Sequence, residues 1–193
     1  MAHVDERIFL WINGLAGRVP LLDRIVEWVV SDYLVPASLA LTLIGIWFVG
    51  SDRVTREKHQ VGVFVALTSM ALSSFTVLLI NAIYSRPRPF VDHDVTMLFY
   101  YPTDPSFPSN AAAATFGIAF AVWGVNRLVG TFALLASVLY AFVRVFAGVH
   151  YPLDVVAGAL IGAVVAFFVF KLREPLKPAT TLVIEAARVL CLA

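Results

Sequence analysis

Five apolar runs divide the chain, at residues 33–50, 61–84, 109–125, 128–146 and 153–170. Each is close to the length a helix needs to cross the hydrocarbon core of a bilayer, about 20 residues with a range of roughly 17–25. The pattern therefore predicts an all-α integral membrane protein, a helical bundle with five transmembrane helices. Residues 5–31 read differently: they are amphipathic, interrupted by Gly14, Gly17 and Pro20, and charged too often for a span. They predict two short helices lying at the interface within 1–32; a span there instead would make the count six. Residues 180–193, short and charged, predict a further interfacial helix, so that 1–193 forms a single membrane-embedded domain.

The loops between the runs set the orientation. Arg53, Arg56 and Lys58 occupy the loop at 51–60, and Lys171, Arg173 and Lys177 follow the last run. Short basic loops stay on the cytoplasmic side. The segment at 85–109 and the stretch at 144–154 are thus expected together on the opposite, extracytoplasmic face. The first of these contains Arg86-Pro87-Arg88-Pro89 and three further prolines, Pro102, Pro105 and Pro108. A continuous helix is impossible there, so it is expected to be a structured loop.

Composition agrees with a bilayer setting, with 60% of residues hydrophobic and 14% charged, against an apolar share of roughly 45–50% in soluble domains. A net charge of +1 with basic residues in scattered short clusters leaves no nucleic-acid footprint. Cys191 is the single cysteine, which excludes a disulfide framework and a cysteine-based metal site. The first thirty residues mix acids with bases and do not fit a cleaved secretory signal, so the chain is read as mature.

Candidate chemistry concentrates at 144–154, where Arg144, Gly148, His150 and Asp154 lie between two apolar runs. Ionisable groups near hydrocarbon are costly and mark functional sites. Arg88 and Arg144 are planar cations suited to phosphate oxygens, and neither has an acid four residues away on a predicted helix to make a simple structural pair. Alone, each arginine reads equally well as a side chain reaching for lipid headgroups. Pro108-Ser109 opens an apolar helix, which places Ser109 as its N-cap and leaves amides facing the same side. His150, four residues before Asp154, has the spacing of an imidazole oriented by a carboxylate. A plain interfacial histidine beside a first-turn aspartate fits that spacing as well.

These residues resemble the type 2 phosphatidic acid phosphatases, a family that shares its core with glucose-6-phosphatase and the vanadium haloperoxidases. Its motifs are K-x6-R-P, P-S-x-H and S-R-x3-G-x-H-x3-D. The third is present as Arg144, Gly148, His150 and Asp154, with Val143 in place of the leading serine; the second as Pro108-Ser109-Asn110; the first as Arg88-Pro89. Tyr84 to Val91 and Ser106 to Ser109 look most like the bacitracin-resistance type of undecaprenyl pyrophosphate phosphatase. The resemblance implies a nucleophilic His150 oriented by Asp154, with Arg88, Arg144, Ser109, Asn110, Gly148 and backbone amides binding phosphate. It implies no metal or other cofactor. It also implies a polyprenyl pyrophosphate or other phospholipid substrate, in a multi-pass protein of the cytoplasmic membrane whose site faces outward. Hydrolysis of phosphatidate or phosphatidylglycerophosphate, or non-catalytic binding of phospholipid, are the alternatives.

Two further positions depart from the family pattern. The first-motif lysine falls on Asn81, an uncharged amide that would serve as a weaker phosphate donor. The second-motif histidine, the implied general acid and base, falls on Ala111. Losing such a group removes about 10²–10⁴-fold in rate, so a nearly inactive chain is expected. His93 is the only other histidine on that face that could stand in for it.

Overall fold

The computed structural model describes residues 2–189, and these are helical with connecting loops and no strand among them. In chain order the helices are α1 (Ala2–Asn13), α2 (Pro20–Val30), α3 (Leu34–Phe48), α4 (Arg53–Ile83), α5 (Pro89–Asp92), α6 (Asn110–Val125), α7 (Arg127–Phe146) and α8 (Pro152–Val189). Helix starts follow the expected chemistry. Asp52 caps α4 by accepting from the Thr55 amide at 2.9 Å, and Asn126 caps α7 by accepting from Val129 at 3.1 Å.

α6 is the centre of the bundle, with α4, α7 and α8 packed around it. Its small side chains explain the position: Ala112, Ala113, Gly117, Ala119 and Ala121 are buried and admit neighbours from several directions. Sixteen residues give α6 a length of about 24 Å at 1.5 Å per residue, short of a bilayer core. The helix is enclosed by longer ones. α4, α7 and the first part of α8 are each long and apolar enough to cross a membrane, and their outer faces carry exposed apolar side chains such as Leu78, Phe132 and Phe167. Such a surface suits lipid and is unsuited to water.

Two sequence expectations change. α2 and α3 are not an interfacial helix followed by an independent span; they form one bent pair, with 49° between them, that is long and apolar enough to cross a membrane only when taken together. The break falls at Ser31, whose hydroxyl donates to the Trp28 carbonyl at 2.6 Å and so ends α2. At the other end, residues 180–189 are the continuation of α8 and not a separate helix. Residues 190–193, the rest of that expected helix, lie outside the described residues.

α6 and α8 meet at their backbones. A Cβ at Gly162 would overlap the Ala113 carbonyl oxygen and the Gly117 amide, while one at Gly45 on α3 would meet nothing within 4 Å. Gly162→Val is therefore expected to cost about 1–3 kcal/mol through overpacking, and Gly45→Ala to be neutral or to gain about 0.5–1 kcal/mol from helix propensity. Thermal unfolding in detergent checks this, and equal midpoints for the two variants would contradict the crossing.

Candidate active site

The end of α7 delivers the first two groups. Gly148, at φ 84°, turns the chain out of the helix, and the amides of Val149 and His150 fold back on the Arg144 carbonyl at 3.0 and 3.3 Å. A residue with Cβ is strained in that conformation. The reversal leaves Arg144 on the last turn of α7 and His150 just beyond it, both almost fully buried.

His150 is held from its Nδ1 side. Nδ1 lies 2.9 Å from the Ser106 carbonyl oxygen, which can only accept, so Nδ1 carries the hydrogen and Nε2 keeps the lone pair. Nε2 faces Arg88 Nη1 at 3.4 Å. Asp154 Oδ2 stands 3.8 Å from Nδ1, too far for a direct hydrogen bond, and instead accepts from the Ser106 hydroxyl and from the Tyr151 amide at 2.9 Å. The expected histidine–aspartate contact is thus mediated by Ser106, a residue that carried no role in the sequence reading. Burial pushes the His150 imidazole down to about 4; the Arg144 and Arg88 cations add to this, and Asp154 opposes it.

Asp154 Oδ1 forms an ion pair with Arg86 Nη1 at 2.7 Å. The other nitrogen of that guanidinium, Nη2, meets Asp5 of α1 at 2.8 Å. Asp5 in turn accepts from the Leu153 amide at 2.9 Å, at the start of α8. Burial alone would pull the Arg86 guanidinium down, but the hydrogen bonds and charges of Asp5 and Asp154 raise it above its usual value.

The two arginines expected to bind phosphate are brought together, and both are paired with acids distant in sequence. Arg88 donates through Nε to the Asp104 carbonyl at 2.8 Å, through Nη2 to the Asp104 carboxylate at 2.9 Å, and through Nη1 to the Val149 carbonyl at 3.0 Å. Burial, with the nearby Arg144 charge, lowers its pKa despite Asp104. Arg144 Nη1 lies 3.1 Å from Asp32, in the break between α2 and α3, and 3.0 Å from the Tyr140 hydroxyl. Asp32 and Asp104 are half-exposed at the mouth of the site, so an incoming anion can exchange with them.

A cavity of about 830 Å³ opens over these groups. Its polar end contains Arg88, Arg144, His150 and Asn110, and its apolar end runs between α3 and α4 along Leu43, Trp47, Phe64 and Leu67. Ala111 faces this cavity from the first turn of α6. Four expectations are corrected. Ser109 does not line the cavity; it is fully buried as the α6 N-cap, accepting from the Ala112 amide at 3.4 Å. Asn81, on α4, does not line the cavity, and its buried Oδ1 has no partner among the described residues. The Cβ position of Gly148 points at Met97 and Thr96, so this glycine serves the turn and presents no surface to the cavity. His93 packs beside Phe9 and Tyr151, outside the cavity, and is not placed to replace a histidine at 111.

Comparison with known proteins gives the family. The PAP2 superfamily profile matches residues 62–177. The undecaprenyl-diphosphatase BcrC of Bacillus subtilis (strain 168) is 31% identical over 182 residues, covering 94% of this chain and 91% of that protein. The putative undecaprenyl-diphosphatase YbjG of Escherichia coli (strain K12) is 27% identical, covering 85% of this chain and 80% of its own length. Among solved structures, that of Aquifex aeolicus LpxE superposes with a TM-score of 0.63 at 27% identity, over 86% of this chain and 93% of that one. The first transmembrane PAP2-type phosphatidylglycerolphosphate phosphatase from Bacillus subtilis shares the fold, with a TM-score of 0.65 at 22% identity over 90% and 86% of the two chains. With an apolar helical bundle, a buried histidine between two arginines, and a family match across more than half its length, the chain belongs to the PAP2 superfamily.

Proposed function

We propose that the protein hydrolyses a polyprenyl diphosphate, of the undecaprenyl class, to the monophosphate at the outer face of the cytoplasmic membrane, with Ala111 slowing turnover. The observation that carries this reading is the cavity that joins His150, Arg88 and Arg144 to an apolar groove between α3 and α4. One end suits a phosphoryl group and the other a hydrocarbon tail. The names of its relatives support the choice of lipid diphosphate.

In this mechanism the lone pair on His150 Nε2 forms the N–P bond to the terminal phosphorus. The bridging P–O bond breaks, and its electron pair leaves with the lipid monophosphate. Arg88, Arg144 and the free amides at the start of α6 hold the equatorial oxygens as charge shifts, taking the place of Asp104 and Asp32 as partners of the guanidiniums. The phosphorylated ring is cationic, and its Nδ1 hydrogen remains on the Ser106 carbonyl with Asp154 behind it. Water then forms the new P–O bond as N–P breaks, and its proton needs a base.

Position 111 faces the cavity where that base belongs, and alanine supplies none. A lipid monophosphate is a weakly basic leaving group, so the first step suffers less than the second. Ala111 also favours a second reading, a non-catalytic phospholipid binder, and the same variants separate the two. Ala111→His is expected to raise phosphate release from farnesyl diphosphate by about 10²-fold or more. In that background His150→Ala should abolish it. No gain from Ala111→His would remove the assignment at 111, and activity surviving His150→Ala would remove the nucleophile.

The protonation of His150 gives a test independent of turnover. Its folded-state pKa is depressed, so the unfolded chain takes up a proton near 6.5 while the folded one waits until about 4. The stability of the fold is complete above the unfolded value and declines as pH falls through that window. A ¹⁵N-histidine NMR titration in micelles is expected to give a His150 midpoint near 4. A midpoint at the ordinary value would contradict the buried, neutral nucleophile.

A further inference from the structure

We infer that Asp5, on the amino-terminal helix, is a positioning residue for the nucleophile. It acts through Arg86 to keep a net negative charge behind His150. The inference rests on the proposed role of His150 and extends it to a part of the chain that lies outside the family motifs.

The geometry is a closed chain of charged groups. Asp5 is 3% exposed and Asp154 is fully buried, and the guanidinium of Arg86 bridges them, with 2.8 Å to one carboxylate and 2.7 Å to the other. The same guanidinium lies 3.9 Å over the Tyr151 ring. The free Asp5 oxygen accepts from the Leu153 amide at 2.9 Å, which satisfies one of the open donors at the start of α8. Residues around Asp5 fix its helix in place. Phe9 is fully buried with its ring 5.3 Å from that of Tyr151, and Asn13 donates to the carbonyls of Thr96 and Phe146 at 2.9 Å each. Helix α1 therefore grips both ends of the stretch from the last turn of α7 to the first turn of α8.

Charge balance gives the arrangement a purpose. With Arg86 and Asp154 alone, the pair would be neutral, and the cationic ring formed at His150 would have no counter-charge. Asp5 makes the group of three net negative. The other charges near His150 are Arg88 from the loop, itself paired with Asp104, and Arg144 from α7, paired with Asp32; each arginine opposes positive charge on the ring. The negative charge behind Nδ1 thus has to come from the Asp5–Arg86–Asp154 group. Asp5 does not touch the reacting atoms or the cavity; its influence passes through Arg86.

Asp5→Asn keeps the shape and the hydrogen bond to Leu153 while removing the charge. In the Ala111→His background, it should slow phosphoenzyme formation from farnesyl diphosphate by roughly tenfold, the size of one pKa unit of coupling, with the substrate Kd unchanged. It should also lower the His150 midpoint in the ¹⁵N titration. Adding Arg86→Gln restores the net charge of the group, so Asp5→Asn/Arg86→Gln should recover part of both losses, and Asp5→Glu should retain most of the rate. A purely structural Asp5 gives the opposite pattern: the double variant is worse than either single one, and the His150 midpoint does not move. Either result overturns the inference. A background enzyme that forms no phosphoenzyme would count against the proposed function, and the titration in Asp5→Asn and the double variant would still decide the role of Asp5.

Discussion

A buried carboxylate at the start of a membrane helix has to be satisfied by its neighbours, and Asp154 is the constraint around which this protein is built. Its two oxygens take one guanidinium nitrogen, one hydroxyl and one backbone amide, from Arg86, Ser106 and Tyr151. Removing any of these leaves charge or a polar group stranded in a low-dielectric interior, which costs several kcal/mol. Satisfying Asp154 thus draws the loop after α4, the loop before α6 and the turn before α8 to one point. The Ser109 amide, which donates to the Asp154 carbonyl oxygen at 3.0 Å, fixes the start of α6 against the same residue. His150 occupies the space that these contacts define.

Around that point the rest of the fold divides the work. α6, with its small side chains, lets α4, α7 and α8 close around it, and the glycine contacts with α8 set how near the helix starts can come. α3 takes less part in this core and instead forms one wall of the groove that runs from the arginines toward Trp47. The break before it places Asp32 on Arg144, so one short segment joins the wall of the apolar groove to the buried arginines. In the proposed mechanism a phosphate would take the place of Asp32 and Asp104, and both buried guanidiniums would stay paired.

What the sequence revealed follows from how local each interaction is. The five apolar runs appear as helices because an apolar run is a composition signal, but α6 is too short to cross a bilayer and α3 is long enough only together with α2, so the expected five spans become three and one bent pair; Ser109 appears as a cap because capping acts over three residues. Arg144, Gly148, His150 and Asp154 lie within one turn-and-helix unit, so their spacing carried their association. The acids that complete the site were not legible: Asp32 is 112 residues from Arg144, and Asp5 is 148 from Leu153. No periodicity links such pairs. Ser106 escaped notice for a different reason, since its carbonyl does the orienting and any residue has one. Asn81 shows the reverse case, a motif position that the helix turns away from the cavity. An interfacial helix at residues 1–32 accounts for their charges but not for the pairing of α2 with α3, nor for Asp5 on Arg86 and Leu153 and Asn13 on the carbonyls of Thr96 and Phe146.

The central claim is that His150 Nε2 takes the phosphoryl group. Rapid quench of this chain with farnesyl diphosphate labelled in its terminal phosphate measures it directly, because in the proposed mechanism Ala111 slows the release of a phosphoenzyme. A nucleophilic His150 gives acid-labile, base-stable label approaching one equivalent on the peptide that contains it. Label on another residue, or free phosphate released without any protein-bound label, would contradict it.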